Sequence, residues 1–132
     1  MSRRRDEDSL LESLKSFVEK LNKGADIIIV EGIKDRKALK GLGIKAKILT
    51  LYELKTKERE VKGKRVVILT DFDEKGKELK LRVERMLVTK GARIVREYRR
   101  ELARFMFKRK MKEIESLASL ASTLEKRLIT WS

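Results

Sequence analysis

Val66-Val-Ile-Leu-Thr-Asp-Phe-Asp-Glu-Lys-Gly76 is an uninterrupted apolar run that breaks into two aspartates one residue apart and then a glycine. Such a run fits a strand covered on both faces, as in the centre of a parallel sheet. Ile27-Ile-Ile-Val-Glu-Gly32 has the same form, a β-branched run ending at an acid and a glycine. Outward from these two, residues 46–49 and 92–95 are shorter apolar runs that read as further strands. The segments between them are helical: Ala38, Leu39 and Leu42 share a face before Gly43, and Leu79, Val83, Met86 and Leu87 share another before Gly91. Residues 51–59 are polar, a helix or a loop. The alternation β-α-β-α-β-α-β needs crossovers, and crossovers imply parallel strands with helices on both faces. The sequence therefore predicts an α/β domain over residues 25–96 with a four-stranded parallel sheet.

Two helical segments flank this unit. In residues 1–24, Ser9-Leu-Leu-Glu12 has capping-box spacing, and Leu10, Leu14, Phe17, Val18 and Leu21 form one apolar face, so an amphipathic helix packed on the core is expected. Residues 97–132 contain no Gly or Pro, and Ile114, Leu117, Ala121, Leu124 and Leu128 alternate three and four apart. They predict a basic helical extension, one long helix or two joined, whose stripe packs on its own domain or on a partner helix. Trp131 packs back or covers a partner surface.

The chain has 132 residues with neither Cys nor His, so thiolate nucleophiles, disulfides, ordinary zinc sites and imidazole catalysis are excluded. Its net charge of +14 attracts polyanions, nucleic acid first, or else belongs to an ordinary solvated surface. No segment is long enough to span a membrane and none has the form of a signal peptide, so a cytoplasmic protein with no membrane partner is expected.

Glu31 and the pair Asp71 and Asp73 fall at the carboxyl ends of predicted strands, where ligands of open parallel sheets bind. On an extended segment Asp71 and Asp73 point to one side and Phe72 to the other. Three crowded carboxylates repel one another unless a hard cation such as Mg²⁺, or Mn²⁺, neutralises them. The bland alternative is that the aspartates are turn or N-cap residues after a strand. Asp35 is open in the same way, as an outer-shell ligand or an N-cap.

Val30-Glu-Gly-Ile-Lys-Asp35 and Thr70-Asp-Phe-Asp-Glu-Lys-Gly76, each after a buried strand and in this order, resemble the Toprim family. That family includes primases, topoisomerases, old-family nucleases, recombination proteins and 5S ribosomal RNA maturation nucleases. The resemblance implies a Rossmann-like Toprim fold and an acidic site in which Glu31, Asp71 and Asp73 bind Mg²⁺ and act on phosphodiesters. It also implies that Gly32 lets the backbone approach closely and that Gly76 relaxes the turn after the pair. The form Glu31-Gly-x-x-Asp35-x-x-Ala38-Leu39 looks most like the primase and 5S maturation branch. Lys77 stands where many members carry an acid, and Phe72 where a small residue or Pro is frequent.

A topoisomerase needs a Tyr nucleophile and a DNA gate, and this chain offers Tyr52, Tyr98 and no room for a gate. A primase usually has a zinc module, which a chain without Cys or His lacks. The expectation is therefore a metal-dependent nuclease of RNA processing, ribosomal RNA first, with RNA favoured over DNA. The competing class is an adaptor that holds a metal and nucleic acid, or the ribosome, without turnover. Lys34, Lys75, Lys77, Lys80 and Arg82 near the motif loops are candidate phosphate contacts, or solvated helix surface. Arg99, Arg100, Lys108 and Arg109, among aromatic neighbours, form a second candidate cluster for RNA or for a ribosomal or other protein partner.

Overall fold

The computed structural model describes the backbone of residues 3–131 and the side chains of residues 6–126. In chain order it comprises α1 (Arg3–Gly24), β1 (Ile27–Val30), α2 (Ile33–Gly41), β2 (Lys47–Thr50), α3 (Leu51–Lys57) and a 3-10 turn at Glu58–Val61. Then come β3 (Arg65–Ile68), α4 (Glu74–Thr89), β4 (Arg93–Ile94), α5 (Glu97–Lys108) and α6 (Ser116–Trp131). All four strands are parallel in the order β2-β1-β3-β4, with Ile28 opposite both Ile48 and Val67. From β1 the chain crosses to one side to make β2 and to the other to make β3. The direction of winding thus reverses between β1 and β3, and a crevice opens there at the strands' carboxyl ends.

Because side chains alternate along a strand, the continuous apolar runs supply two cores at once. Ile28, Val30, Ile48, Val67 and Leu69 face α1, α5, α6 and Leu39 of α2. Ile27, Ile29, Leu49, Val66 and Ile68 face α3, the 3-10 turn and α4, through Leu54, Val61, Val83 and Leu87. Each fully buried aliphatic side chain contributes about 1.5–3 kcal/mol. Side chains from the first 24 residues and from beyond residue 96, among them Leu21, Leu102, Met106, Ile114 and Leu117, share one cluster with the sheet.

The capping box expected at Ser9 and Glu12 is not used. α1 already begins at Arg3, so both residues lie exposed inside the helix, and Asp6 in the first turn answers the helix dipole instead. Leu11 rather than Leu10 occupies the buried stripe. Residues 51–59 form α3 and the 3-10 turn, with a genuine capping box in which Thr50 accepts from Glu53 N–H and Glu53 from Thr50 N–H. Leu128 and Trp131, named above, have side chains outside the described ones.

Residues 97–131 form two helices, and nothing in their composition marks the break. α5 ends in a Schellman arrangement: Met111 N–H donates to Met106 C=O at 2.9 Å and Lys110 N–H to Phe107 C=O at 3.1 Å. Lys110 takes the left-handed position (φ 56°) usually given to glycine. The left-handed backbone costs a side-chain-bearing residue about 1–2 kcal/mol, offset in part by the greater unfolded-state freedom of glycine. Lys110→Gly is therefore expected to stabilise the protein by about 0.5–1 kcal/mol in urea denaturation, whereas Lys108→Gly, inside α5, should destabilise it.

Candidate functional site

The alternate carbonyls of β3 that face β4 belong to Lys64, Val66, Ile68 and Thr70. Lys64 C=O accepts from Arg93 N–H and Val66 C=O from Val95 N–H, both at 2.9 Å. β4 then ends, leaving the next two acceptors in the interior without a strand. Arg99 takes over: one guanidinium nitrogen, Nη1, donates to Ile68 C=O at 3.1 Å and to Thr70 C=O at 2.7 Å, and Nη2 donates to Asp71 C=O at 3.0 Å. The guanidinium also lies over the Phe72 ring, 4.3 Å from its centre.

The opposite edge is continued by a side chain as well. Leu69 N–H donates to Ile29 C=O of β1 at 2.7 Å. Two residues on, Asp71 N–H donates at 2.7 Å to the carboxylate oxygen Oε2 of Glu31. The neighbouring positions of β1 and β3 thereby bring Glu31 and Asp71 together at the reversal of the sheet.

Asp71 accepts through Oδ1 from Ile114 N–H at 2.8 Å, and Phe72 N–H donates to Lys112 C=O at 2.7 Å, so the turn between α5 and α6 walls the loop. Asp73 is the N-cap of α4, accepting through Oδ1 from Gly76 N–H at 2.7 Å, the bland role set beside the metal role above. Gly76 does not merely relax a turn. It is buried at the start of α4, its carbonyl accepts from the Thr70 hydroxyl at 2.7 Å, and a Cβ there would stand 2.0 Å from Asp71 C=O. Gly32 differs: it is the N-cap of α2 with φ −147°, and a Cβ would meet nothing within 4 Å, so no close approach of the protein itself calls for a glycine there. Asp35 is not an N-cap but lies in the first turn of α2 and reaches back to accept from Gly32 N–H at 3.1 Å.

Glu31, Asp35 and Asp71 line a groove of about 840 Å³ with Lys34, Lys75, Glu113 and Glu115. Burial raises the pKa of Glu31, with the charges of Asp71 and Asp73 adding to it against the Asp71 N–H and Lys75. Burial likewise raises Asp35 to about 6, helped by the charge of Asp71 and opposed by the Gly32 N–H. Arg99 is lowered to about 10 by burial, and Glu31 and Asp71 resist that shift, so it remains cationic at neutral pH.

The expected carboxylates are not pre-assembled into a ligand set: among the described residues no three acidic side chains stand close enough to share an ion. The donors nevertheless suit a hard cation. Glu31, Asp71 and Asp73 each commit one carboxylate oxygen to a backbone N–H, which leaves each a second hard oxygen donor. Mg²⁺ takes one or two carboxylates and completes its shell with water.

Of the expected nucleic-acid contacts, Arg99 and Arg109 turn inward. Arg99 is buried and spent on carbonyls. Arg109 is half-buried, donating to Phe105 C=O at 2.7 Å and stacking 3.8 Å from the Phe105 ring centre. A helix turns about 100° per residue, so the basic run on α5 cannot form one face. Lys34 and Lys75 are exposed at the acidic groove, whereas Lys77, Lys80 and Arg100 line a different pocket, between α4 and α5. Arg82 is exposed on α4 and Lys108 lies beside α1. Arg99, Ile114 and Lys112 support the site although no sequence signal marks them, because an Arg inside a basic run reads as surface and backbone groups leave no composition.

The family model described as the Toprim domain matches residues 26–105. UPF0292 proteins are similar along most of the chain: that of Thermococcus gammatolerans is 39% identical over 115 residues, covering 83% of this chain and 86% of the relative. That of Pyrococcus horikoshii is 38% identical over 116 residues, covering 83% and 87%. A solved structure titled as a putative protein from Aquifex aeolicus superposes with a TM-score of 0.61 at 25% identity, over 83% of this chain and 95% of that one. No helix among the described residues is long and apolar enough to cross a membrane.

Arg99→Met is expected to lower stability by at least about 1.5–3 kcal/mol in urea, the worth of hydrogen bonds from a charged donor, since it strands the Ile68 and Thr70 carbonyls. For Asp35, whose folded pKa lies above its ordinary value, the folded state holds the extra proton between roughly pH 4 and 6. Stability contributed by that proton is present at the acid end and lost as pH rises through about 6. Asp35→Asn keeps an acceptor for Gly32 N–H, and its advantage over the parent should be larger near pH 8 than near pH 4 in thermal melts. A constant difference at both ends would show that the carboxyl is not strained.

Proposed function

Since the chain belongs to the Toprim family, within its UPF0292 relatives, and Toprim domains perform metal-dependent nucleic-acid chemistry, we propose that it is a Mg²⁺-dependent nuclease of RNA, ribosomal RNA precursors first. The observation that carries this is the meeting of Glu31 and Asp71 at the reversal of the sheet, joined by a hydrogen bond and opening on one groove. Asp71 and Asp73, with Glu31, would hold Mg²⁺ or Mn²⁺. When bound, such a cation polarises a phosphodiester and makes water a usable nucleophile.

The chain's own groups supply the rest. Glu31, with its raised proton affinity, takes a proton from the attacking water or returns one to the leaving oxygen. Lys34 and Lys75 flank the carboxylates and orient the phosphate. Arg99 lies beneath the loop and fixes the Asp71 backbone, a positioning role. The open space over Gly32 admits a phosphate against the backbone at the start of α2.

The primase and 5S maturation branch, the preference for RNA over DNA and contact with a ribosomal protein all belong to this proposal. The adaptor reading is favoured by one observation, that all three carboxylates are already employed on backbone N–H groups. Cleavage decides between the two readings. With Mg²⁺ the purified protein should cut structured RNA, Asp71→Asn should lower the rate by about 10²-fold or more, and binding measured in chelator should be unchanged. Binding of both RNA and plasmid DNA with cleavage of neither establishes the adaptor instead.

A further inference from the structure

The pocket between α4 and α5 encloses about 390 Å³, within the range of about 300–1,000 Å³ found for small-ligand sites. Its floor is apolar, made by Phe72, Leu81, Ile94, Val95 and Ala103, and Leu81 is half exposed. Its rim is cationic, made by Lys77, Lys80, Arg96 and Arg100. The one acid in the lining, Glu84, is already neutralised by Arg96, through Nε at 2.8 Å, and by Lys80 at 3.7 Å. Arg100 has no side-chain partner among the described residues. The pocket also borders the acidic groove: Phe72 lines the first, its neighbour Asp71 the second.

We propose that this pocket receives an unstacked base of single-stranded nucleic acid, while the adjoining phosphates lie on its cationic rim. The proposal deepens the phosphodiester reading above and rests on it. A polyanion is repelled by the acidic groove until a cation arrives, so its first foothold is the cationic side of the same loop. An apolar floor with a phenylalanine ring and guanidinium planes suits the flat face of a base, and the rim suits its phosphates. Duplex bases are paired and stacked, and presenting one here would require taking it out of the helix. The pocket thus selects single strands, loops or ends, and feeds the next phosphate past Phe72 to Asp71.

The test uses the full chain, with chelator present, and a short fluorescein-labelled RNA of mixed sequence, single-stranded or in duplex, read by anisotropy. Ala103→Leu fills the pocket without touching its charge. Single-strand affinity should fall about ten-fold, in line with about 1–3 kcal/mol for one stacked base, and duplex affinity should hold. Should Ala103→Leu melt below the parent, Leu81→Asn, at the half-exposed leucine of the floor and again without a change of charge, gives the same readout. Equal losses for both forms, no loss in variants that melt like the parent, or displacement by polyglutamate at lower concentration than by RNA would overturn the pocket, the last in favour of an acidic protein partner. Single strands that bind through the pocket and are never cut with Mg²⁺ would overturn the nuclease reading and leave the pocket standing.

Discussion

The extended stretch after β3, residues 69–71, runs on past the ends of β4 and β1, and the protein finishes the ladder with side chains. On one edge the Arg99 guanidinium replaces the strand that β4 does not extend, and on the other the Glu31 carboxylate replaces a carbonyl of β1. Buried backbone acceptors without donors are costly, so this substitution is a condition of the loop's existence. It also sets the site: the carboxylate that continues the sheet sits, by the same geometry, beside Asp71.

The electrostatics follow from that construction. A buried cation below the loop and carboxylates above it hold charge of both signs within a few residues, and Glu31 and Asp71 oppose the loss of the Arg99 proton that burial favours. Glu31 and Asp35 remain less acidic than ordinary carboxyls, since burial outweighs the N–H donors. The loop divides two surfaces of opposite character, an acidic groove on the side of Asp71 and a cationic pocket on the side of Phe72. A net charge of +14 thus coexists with a strongly acidic site.

The C-terminal helices are part of this site. Ile114 and Lys112 hold Asp71 and Phe72 from the turn after α5, and the left-handed Lys110 is the strain that turn accepts. These contacts lie beyond residue 105, where the match to the family model ends. Asp71 is therefore oriented by a segment outside the matched region.

The sequence by itself determined the α/β class, the four strands to within a residue or two, and the positions of Glu31, Asp71 and Asp73 at strand ends. These are local properties: apolar runs read as buried strands because both sheet faces are covered, and acids that break such runs fall where the strands stop. Tertiary structure alone decided the order β2-β1-β3-β4, which makes Glu31 and Asp71 neighbours, and the inward turn of Arg99 and Arg109 out of a run that reads as surface. It also decided the break at Lys110 and the different duties of Gly32, which meets open space, and Gly76, which meets the Asp71 carbonyl. Each depends on a partner far away in the chain, and a hydrogen bond between residue 99 and the carbonyl of residue 70 leaves no periodicity for a sequence to display.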